Sequence, residues 1–219
     1  MLIKTNFADF CKRFDANSQP VLDVLYQHVP PTYPESITTS LLGSLKKKES
    51  VEVFIGGGAV RRTLLKQPLD SDFDFFFNSE YTRTFVEENS TLKKTRETMH
   101  HTQFEGKMQV DGEERDVKIQ NIFFQYYNSP EELIDSFDYT LCQFAVDLSG
   151  NLYTTPEALW DVARKRLAIH KITYPVSSLR RMLKYTNQGF TACSGCLQDF
   201  IQKSAALVDD NAMEIEYVD

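Results

Sequence analysis

Three aspartates, Asp70, Asp72 and Asp74, recur at every second position between Leu69 and Phe75. In a strand, positions i, i+2 and i+4 share one face, so the three carboxylates align while Ser71, Phe73 and Phe75 take the other. Like charges so placed repel one another unless a cation neutralises them, and an all-oxygen donor set suits Mg2+ or Mn2+. Two such ions can activate an attacking hydroxyl and stabilise a leaving pyrophosphate during in-line transfer. Upstream, Phe54-Ile55-Gly56-Gly57-Gly58-Ala59-Val60-Arg61 passes from a strand pattern through three glycines into a helix pattern. Backbone without Cβ atoms at a helix N-terminus lets a polyphosphate reach N–H groups and the positive end of the dipole. Arg61, in the first turns, is placed to offset phosphate charge. Alone, a glycine triplet is an ordinary loop and an alternating Asp/Phe stretch an ordinary edge strand. In this order they describe a nucleotide site beside a metal site.

Further candidates surround this pair of motifs. Asp116 opens a strand whose Val117 and Ile119 face a core, while Asp116, Lys118 and Gln120 face away. That makes Asp116 either a third metal ligand, or a base for the acceptor hydroxyl, or a plain surface aspartate. Asp138 is read as a sugar- or phosphate-side contact, or as a turn or cap carboxylate. Arg180, Arg181 and Lys184 share a helix with Tyr185, and arginine and tyrosine both stack on bases; a solvated helix face is the plain alternative. His100 and His101 read as loop residues. Cys193 and Cys196 form one C-x-x-C without a second pair, and the four histidines supply no partner at zinc spacing, so both read as helix residues.

Gly57-Gly58-Ala59-Val60-Arg61 with Asp72-Phe73-Asp74-Phe75 resembles the GGxVRD…DxDF signature of CCA-adding enzymes and bacterial poly(A) polymerases, within the polymerase-β-like nucleotidyltransferase superfamily. The resemblance continues through Phe104 to Ile122, through Phe137-Asp138-Tyr139-Thr140-Leu141 with Asp147 and Gly150, and through Leu159 to Val162, spanning about residues 51–170. It implies Asp72, Asp74 and Asp116 as catalytic metal ligands, and Gly57, Gly58, Arg61, Asp138 and Arg181 as nucleotide contacts. It also implies Mg2+ or Mn2+, an NTP, and an RNA acceptor such as a tRNA 3′ end. Departures are informative. Arg62 stands where the signature has Asp, Ser136-Phe137 where two arginines are usual, and Cys142 where Asn is usual. The gap from the glycines to DxD is one residue long for Asp72/Asp74 and one short for Asp70/Asp72; the apolar residues favour Asp72/Asp74. The nucleotide-reading ED..R segment falls near Ser177-Ser178-Leu179-Arg180-Arg181 without its acidic residues, which predicts no ordered C-then-A addition.

The positioning elements follow from periodicity. A helical leader is expected over residues 1–50, with Phe7, Phe10, Cys11 and Phe14, then Val21, Leu22, Leu25 and Tyr26, at helical spacing, and a short helix from Ser36 to Lys48. An α+β catalytic core with a mixed sheet is expected over 51–155. It comprises strands Val51–Ile55 and Asp72–Phe77, a polar helix Tyr81–Thr98, a hairpin turning at Asp111-Gly112, and a strand pair around Ser149-Gly150-Asn151. A helical part follows over 156–208, and 209–219 reads as a loose acidic tail.

The 219 residues carry a net charge of −7, with 42% hydrophobic and 25% charged residues. These proportions are those of a globular protein, with no apolar run long enough for a membrane span and no leader-peptide pattern, so a cytoplasmic protein is expected. An acidic balance weakens broad attraction to nucleic acid; local patches such as Lys46-Lys47-Lys48 or Arg180, Arg181 and Lys184 must hold any RNA. The expected function is transfer of an NMP from an NTP to an acceptor hydroxyl. The alternatives are a catalytically idle regulatory module, an enzyme whose acceptor site comes from a protein partner, and transfer to a protein or small molecule.

Overall fold

The computed structural model of the chain describes residues 1–30, the backbone of 36–41 and 45–50, and 51–207. In chain order it runs β1 (Ile3–Asn6), α1 (Phe7–Lys12), α2 (Gln19–His28), β2 (Ser36–Leu41), β3 (Leu45–Ser50), β4 (Val53–Gly56), α3 (Gly58–Leu64), β5 (Phe73–Phe77) and α4 (Glu80–Glu88). Then come β6 (Lys93–Glu97), β7 (His101–Val110), β8 (Glu113–Ile122), α5 (Pro130–Ser136), a 3-10 turn (Thr140–Cys142), β9 (Phe144–Asp147) and β10 (Asn151–Thr154). The last stretch comprises α6 (Pro156–Ala163), β11 (Arg166–Leu167), α7 (Pro175–Asn187), β12 (Thr191–Ala192) and α8 (Ser194–Ala205).

Eight strands form one mixed sheet in the order β1-β10-β9-β4-β5-β8-β7-β6, in which β5 and β8 pair in parallel and the other neighbours antiparallel. The aromatic alternation of β5 splits its side chains between two cores. Phe73, Phe75 and Phe77 join Ile55, Val60 and Leu25, whereas Phe76 joins Phe54, Ile122, Tyr127 and Leu133. Asp74 therefore lies on the Phe76 face, as the two-residue period demands. The α+β class with a mixed sheet and flanking helices is the one expected.

Helix starts follow local chemistry. Ser79, Ser129 and Thr155 accept from the backbone N–H of Thr82, Glu132 and Ala158, and Pro130, Pro156 and Pro175 occupy first positions where no N–H is needed. The hairpin of β7 and β8 turns at Asp111-Gly112, both with positive φ (55° and 78°), the backbone a two-residue turn requires.

Three expectations are corrected. The leader is not purely helical: β1 alternates and adds to the sheet through β10, and Ser36–Leu41 pairs with Leu45–Ser50 where a helix over 36–48 was expected. Ile37, Thr38 and Thr39 are β-branched, which favours the pleated form. The Lys46-Lys47-Lys48 run lies on β3. The helix expected over Tyr81–Thr98 stops at Glu88, since no apolar residue continues its face after Val86; the basic residues beyond form β6, an exposed sheet edge of the kind charge protects from further pairing. The expected acidic tail, 209–219, lies outside the described residues.

Candidate active site

The turn from β4 into α3 is built for close approach. Gly57 adopts φ 65°, ψ −118°, a backbone that side-chain-bearing residues rarely adopt, and its N–H donates to Phe144 O at 2.8 Å. A Cβ on Gly58 would meet nothing within 4 Å, so the first turn of α3 is open to a ligand. The first backbone bond into the helix runs from Arg61 N to Gly57 O, which leaves the preceding N–H groups of α3 without helical partners. With only seven residues, α3 offers a modest dipole, and phosphate charge has to be met by side chains.

Ladder register sets the acidic pair beside that turn. Gly56 pairs with Asp74 across β4 and β5, and Asp74 pairs with Gln120 across β5 and β8. Asp72 immediately precedes β5 and accepts from Gln120 Nε2 at 2.6 Å, with Lys118 Nζ 3.5 Å from its other oxygen. Burial first, and the neighbouring Asp72 second, push the Asp74 carboxyl up to about 7; Lys184, Arg181 and Arg61 act in the opposite direction. Two carboxylates that resist simultaneous ionisation fit a divalent cation, which would relieve their repulsion. Among the described residues no three histidine, cysteine, aspartate or glutamate side chains converge on a metal position.

The other flank is α7, held on the 138–142 segment. Asp138, 8% exposed, accepts from Arg181 Nη1 and Ser178 Oγ, both at 2.9 Å, and Tyr139 OH donates to Ser178 O at 2.7 Å. The Asp138 contact raises the Arg181 pKa against the effect of burial, so Arg181 keeps its charge. Lys184, one turn along, is exposed and its ammonium makes no hydrogen bond or ion pair among the described residues, yet acts on Asp74. Arg61 is placed differently from the expected phosphate contact. It is 2% exposed, with the guanidinium against the Tyr185 ring at 4.9 Å and directed at Leu141 O (3.4 Å), Cys142 Sγ (3.8 Å) and Gln188 Oε1 (3.3 Å). It locks α3 to α7 and contributes charge from beneath.

The expected residues thus gather unevenly. Gly57 and Gly58 follow the position where Gly56 pairs with Asp74, Asp72 lies two residues before Asp74, and Asp138 pairs with Arg181, whose charge acts on Asp74. Asp116 lies four residues before Gln120 on β8, so it faces a cleft of about 320 Å3 that it shares with Leu69, Asp70, Asp72, Glu105 and Lys118. Asp70 is exposed and pairs with Arg62. Sequence reasoning put Asp116, Lys118 and Gln120 on one face but could not tell which of them stands opposite Asp74. Phe137, noted in the sequence only as a departure from the arginine of the signature, lies with its ring 5.8 Å from that of Phe76, where a Cβ added at Gly57 would come into van der Waals contact with it. Cys193 caps α8 and Cys196 lies buried within it, both as free thiols, and no described helix is long and apolar enough to cross a membrane.

Comparison with known proteins gives two results. A family model described as Gad2, Gabija anti-defense 2 family protein, matches residues 2–165. A curated relative, Gabija anti-defense 2 of Bacillus phage SPbetaL7, is 29% identical over 156 residues, covering 69% of this chain and 36% of the relative. This chain therefore spans about a third of the length of the curated relative it matches. Among solved structures, the Thermotoga maritima CCA-adding enzyme complexed with tRNA is similar with a TM-score of 0.56 at 12% identity, over 94% of this chain and 47% of that one. A CCA-adding enzyme in complex with CTP is similar with a TM-score of 0.50 at 13% identity, over 73% of this chain and 40% of that one. The fold is that of CCA-adding enzyme heads.

Proposed function

Because the chain belongs to the Gabija anti-defense 2 family, and because an acidic pair and three cations meet beside an open glycine turn, we propose that it is a nucleotidyltransferase acting against a defence component. It moves an NMP from an NTP to an acceptor hydroxyl and releases pyrophosphate. The single observation that carries this reading is the setting of Asp74. Asp74 stands across the ladder from Gly56 at the glycine turn, Asp72 opposes its ionisation, and Lys184, Arg181 and Arg61 favour it. A carboxylate pair bordered by cations is what a metal–triphosphate complex requires.

In this reading Asp72 and Asp74 hold Mg2+ or Mn2+, which when bound stabilises charge on the transferring phosphate and lowers the pKa of the attacking hydroxyl. Gly57 and Gly58 leave room for the triphosphate against the start of α3. Lys184 and Arg181 offset its charge, with Arg181 held in place by Asp138. Arg61 fixes α3 against α7, so that the glycine turn and the cations keep their spacing. Asp116, at the far side of Asp72, receives the acceptor proton. A buried Ser178, already donating to Asp138, is not free to read a base, which supports the expectation that ordered C-then-A addition is absent.

A second reading, a nucleotide-binding module without turnover, draws on Gln120 and Lys118, which engage both oxygens of Asp72 and compete with a metal there. Incubation with each of the four NTPs, labelled at the α-phosphate, together with Mg2+ and a lysate of defence-carrying cells separates the two. Covalent label with stoichiometric pyrophosphate supports transfer; bound but unconverted NTP supports the module and excludes the enzyme.

A further inference from the structure

The C-x-x-C of Cys193 and Cys196 takes no part in the transfer chemistry and opens α8. The chain leading into that helix is held in place: β12 pairs with β11, and Thr191 N donates to Lys165 O at 2.7 Å. Cys193 then takes an extended backbone (φ −79°, ψ 167°) as the cap residue. The first helical bond runs from Leu197 N to Cys193 O at 3.1 Å, so the N–H groups of Ser194, Gly195 and Cys196 have no helical partner.

The two thiols are unequal. Cys193 is exposed, and its Sγ lies 3.8 Å from where a Cβ on Gly195 would stand, so the side chain folds over the first turn of the helix. Cys196 is 7% exposed and belongs to the main core. No acidic residue occupies that first turn, so the positive end of α8 favours an anionic sulfur at the cap. Cys193 makes no capping hydrogen bond, but the N–H groups of Cys196 and Gly195 hold its thiol below the ordinary range, whereas burial pushes the Cys196 thiol up. With Ser194 and Gly195 helical, helix geometry sets the Cα atoms of the two cysteines about 5 Å apart, within the roughly 4.4–6.8 Å that a disulfide spans. Among the described residues no group of three histidine, cysteine, aspartate or glutamate side chains that could hold a metal includes them. An exposed thiol at a helix cap, with a shielded thiol one turn on, suits attack on a disulfide followed by ring closure.

We propose that Cys193 and Cys196 form a redox-active dithiol that exchanges with small-molecule disulfides and closes to an intramolecular disulfide across the first turn of α8. The Cys193 thiolate bonds to one sulfur of the small disulfide, whose S–S bond breaks. The leaving thiolate keeps the electron pair and takes a proton from water. Cys196 loses its proton to water, turns out of the core and bonds to Cys193 Sγ, expelling the second small thiol in the same way. The small disulfide is reduced to two thiols while the cysteine pair is oxidised by two electrons.

The test exposes the fully reduced chain to oxidised glutathione at neutral pH and quenches with acid. The remaining thiols are then alkylated with N-ethylmaleimide under denaturing conditions and located by mass spectrometry. The chain should lose two of its four alkylatable thiols, both in the peptide from Tyr185 to Lys203, and carry no lasting glutathione. Cys196→Ala should stop with one glutathione on Cys193. Cys193→Ser, which puts a favoured cap residue at an exposed position, should keep its Tm and all its remaining thiols. An unaltered chain that keeps all four thiols, stops with glutathione on Cys193, bridges through Cys11 or Cys142, or links to a second chain overturns the proposal.

Discussion

Gln120 stands directly across the ladder from Asp74 and donates through Nε2 to Asp72 at 2.6 Å, so one neutral amide serves the pair where a third carboxylate would make an acidic triad. Gln120→Glu supplies that carboxylate. Without divalent cations its repulsion should lower the Tm at pH 8 by about 2–4 °C for each kcal/mol it costs, and millimolar Mg2+ or Mn2+ should restore the loss. Thermal melts in EDTA and in Mg2+ decide this. A variant indifferent to the cation would mean that these carboxylates do not form a metal site.

Asp74 and His28 give the chain opposed pH dependences. Asp74, raised from 3.8 to about 7, keeps a proton in the folded state that the unfolded chain releases, so its contribution falls as pH rises from about 4 to 7. His28, buried between Phe75 and Phe104 with Nε2 on Asn121, is lowered from 6.5 to about 4, so its contribution rises over pH 4 to 6.5. Asp74→Asn removes the first slope only. The gap in Tm between Asp74→Asn and the unaltered chain should grow from pH 4 to 7 in favour of the variant, then stay level. A gap independent of pH would show that Asp74 ionises at an ordinary pH.

Lys184 and Arg181 should separate binding from stability. Lys184→Ala removes an exposed ammonium with no other partner among the described residues, so NTP affinity should fall with little change in Tm. Arg181→Ala leaves the buried Asp138 without its guanidinium and should cost about 1–3 kcal/mol of stability as well as NTP affinity. Arg181→Ala combined with Asp138→Asn should recover part of that stability. Denaturant melts and NTP titrations measure both quantities; identical behaviour of Lys184→Ala and Arg181→Ala would remove the distinction.

Much of this site was legible in the sequence because its parts are local. The Gly57 turn, the Asp72–Asp74 alternation and the Asp111-Gly112 hairpin depend on backbone rules acting over a few residues. What the sequence could not give was register between distant strands. Whether Asp116, Lys118 or Gln120 faces Asp74 is a choice among same-face residues two apart, made by the parallel pairing of β5 with β8. The burial of Arg61 was hidden for a related reason: its position in α3 is local, but Tyr185 and Phe190, which cover it, come from much later in the chain. The Lys93–Glu97 strand was missed because an exposed edge has no apolar period to read.

The central claim is that Asp72 and Asp74 together support nucleotidyl transfer, and its most direct test is the rate of Mg2+-dependent release of pyrophosphate from α-labelled NTP with label appearing on an acceptor. Asp72→Asn and Asp74→Asn should each reduce that rate by more than about a hundredfold while Tm is kept or raised, since each relieves repulsion. Asp70→Ala, which removes only the exposed partner of Arg62, should stay within about threefold of the unaltered chain. Transfer by Asp72→Asn and Asp74→Asn at rates near that of the unaltered chain would contradict the account.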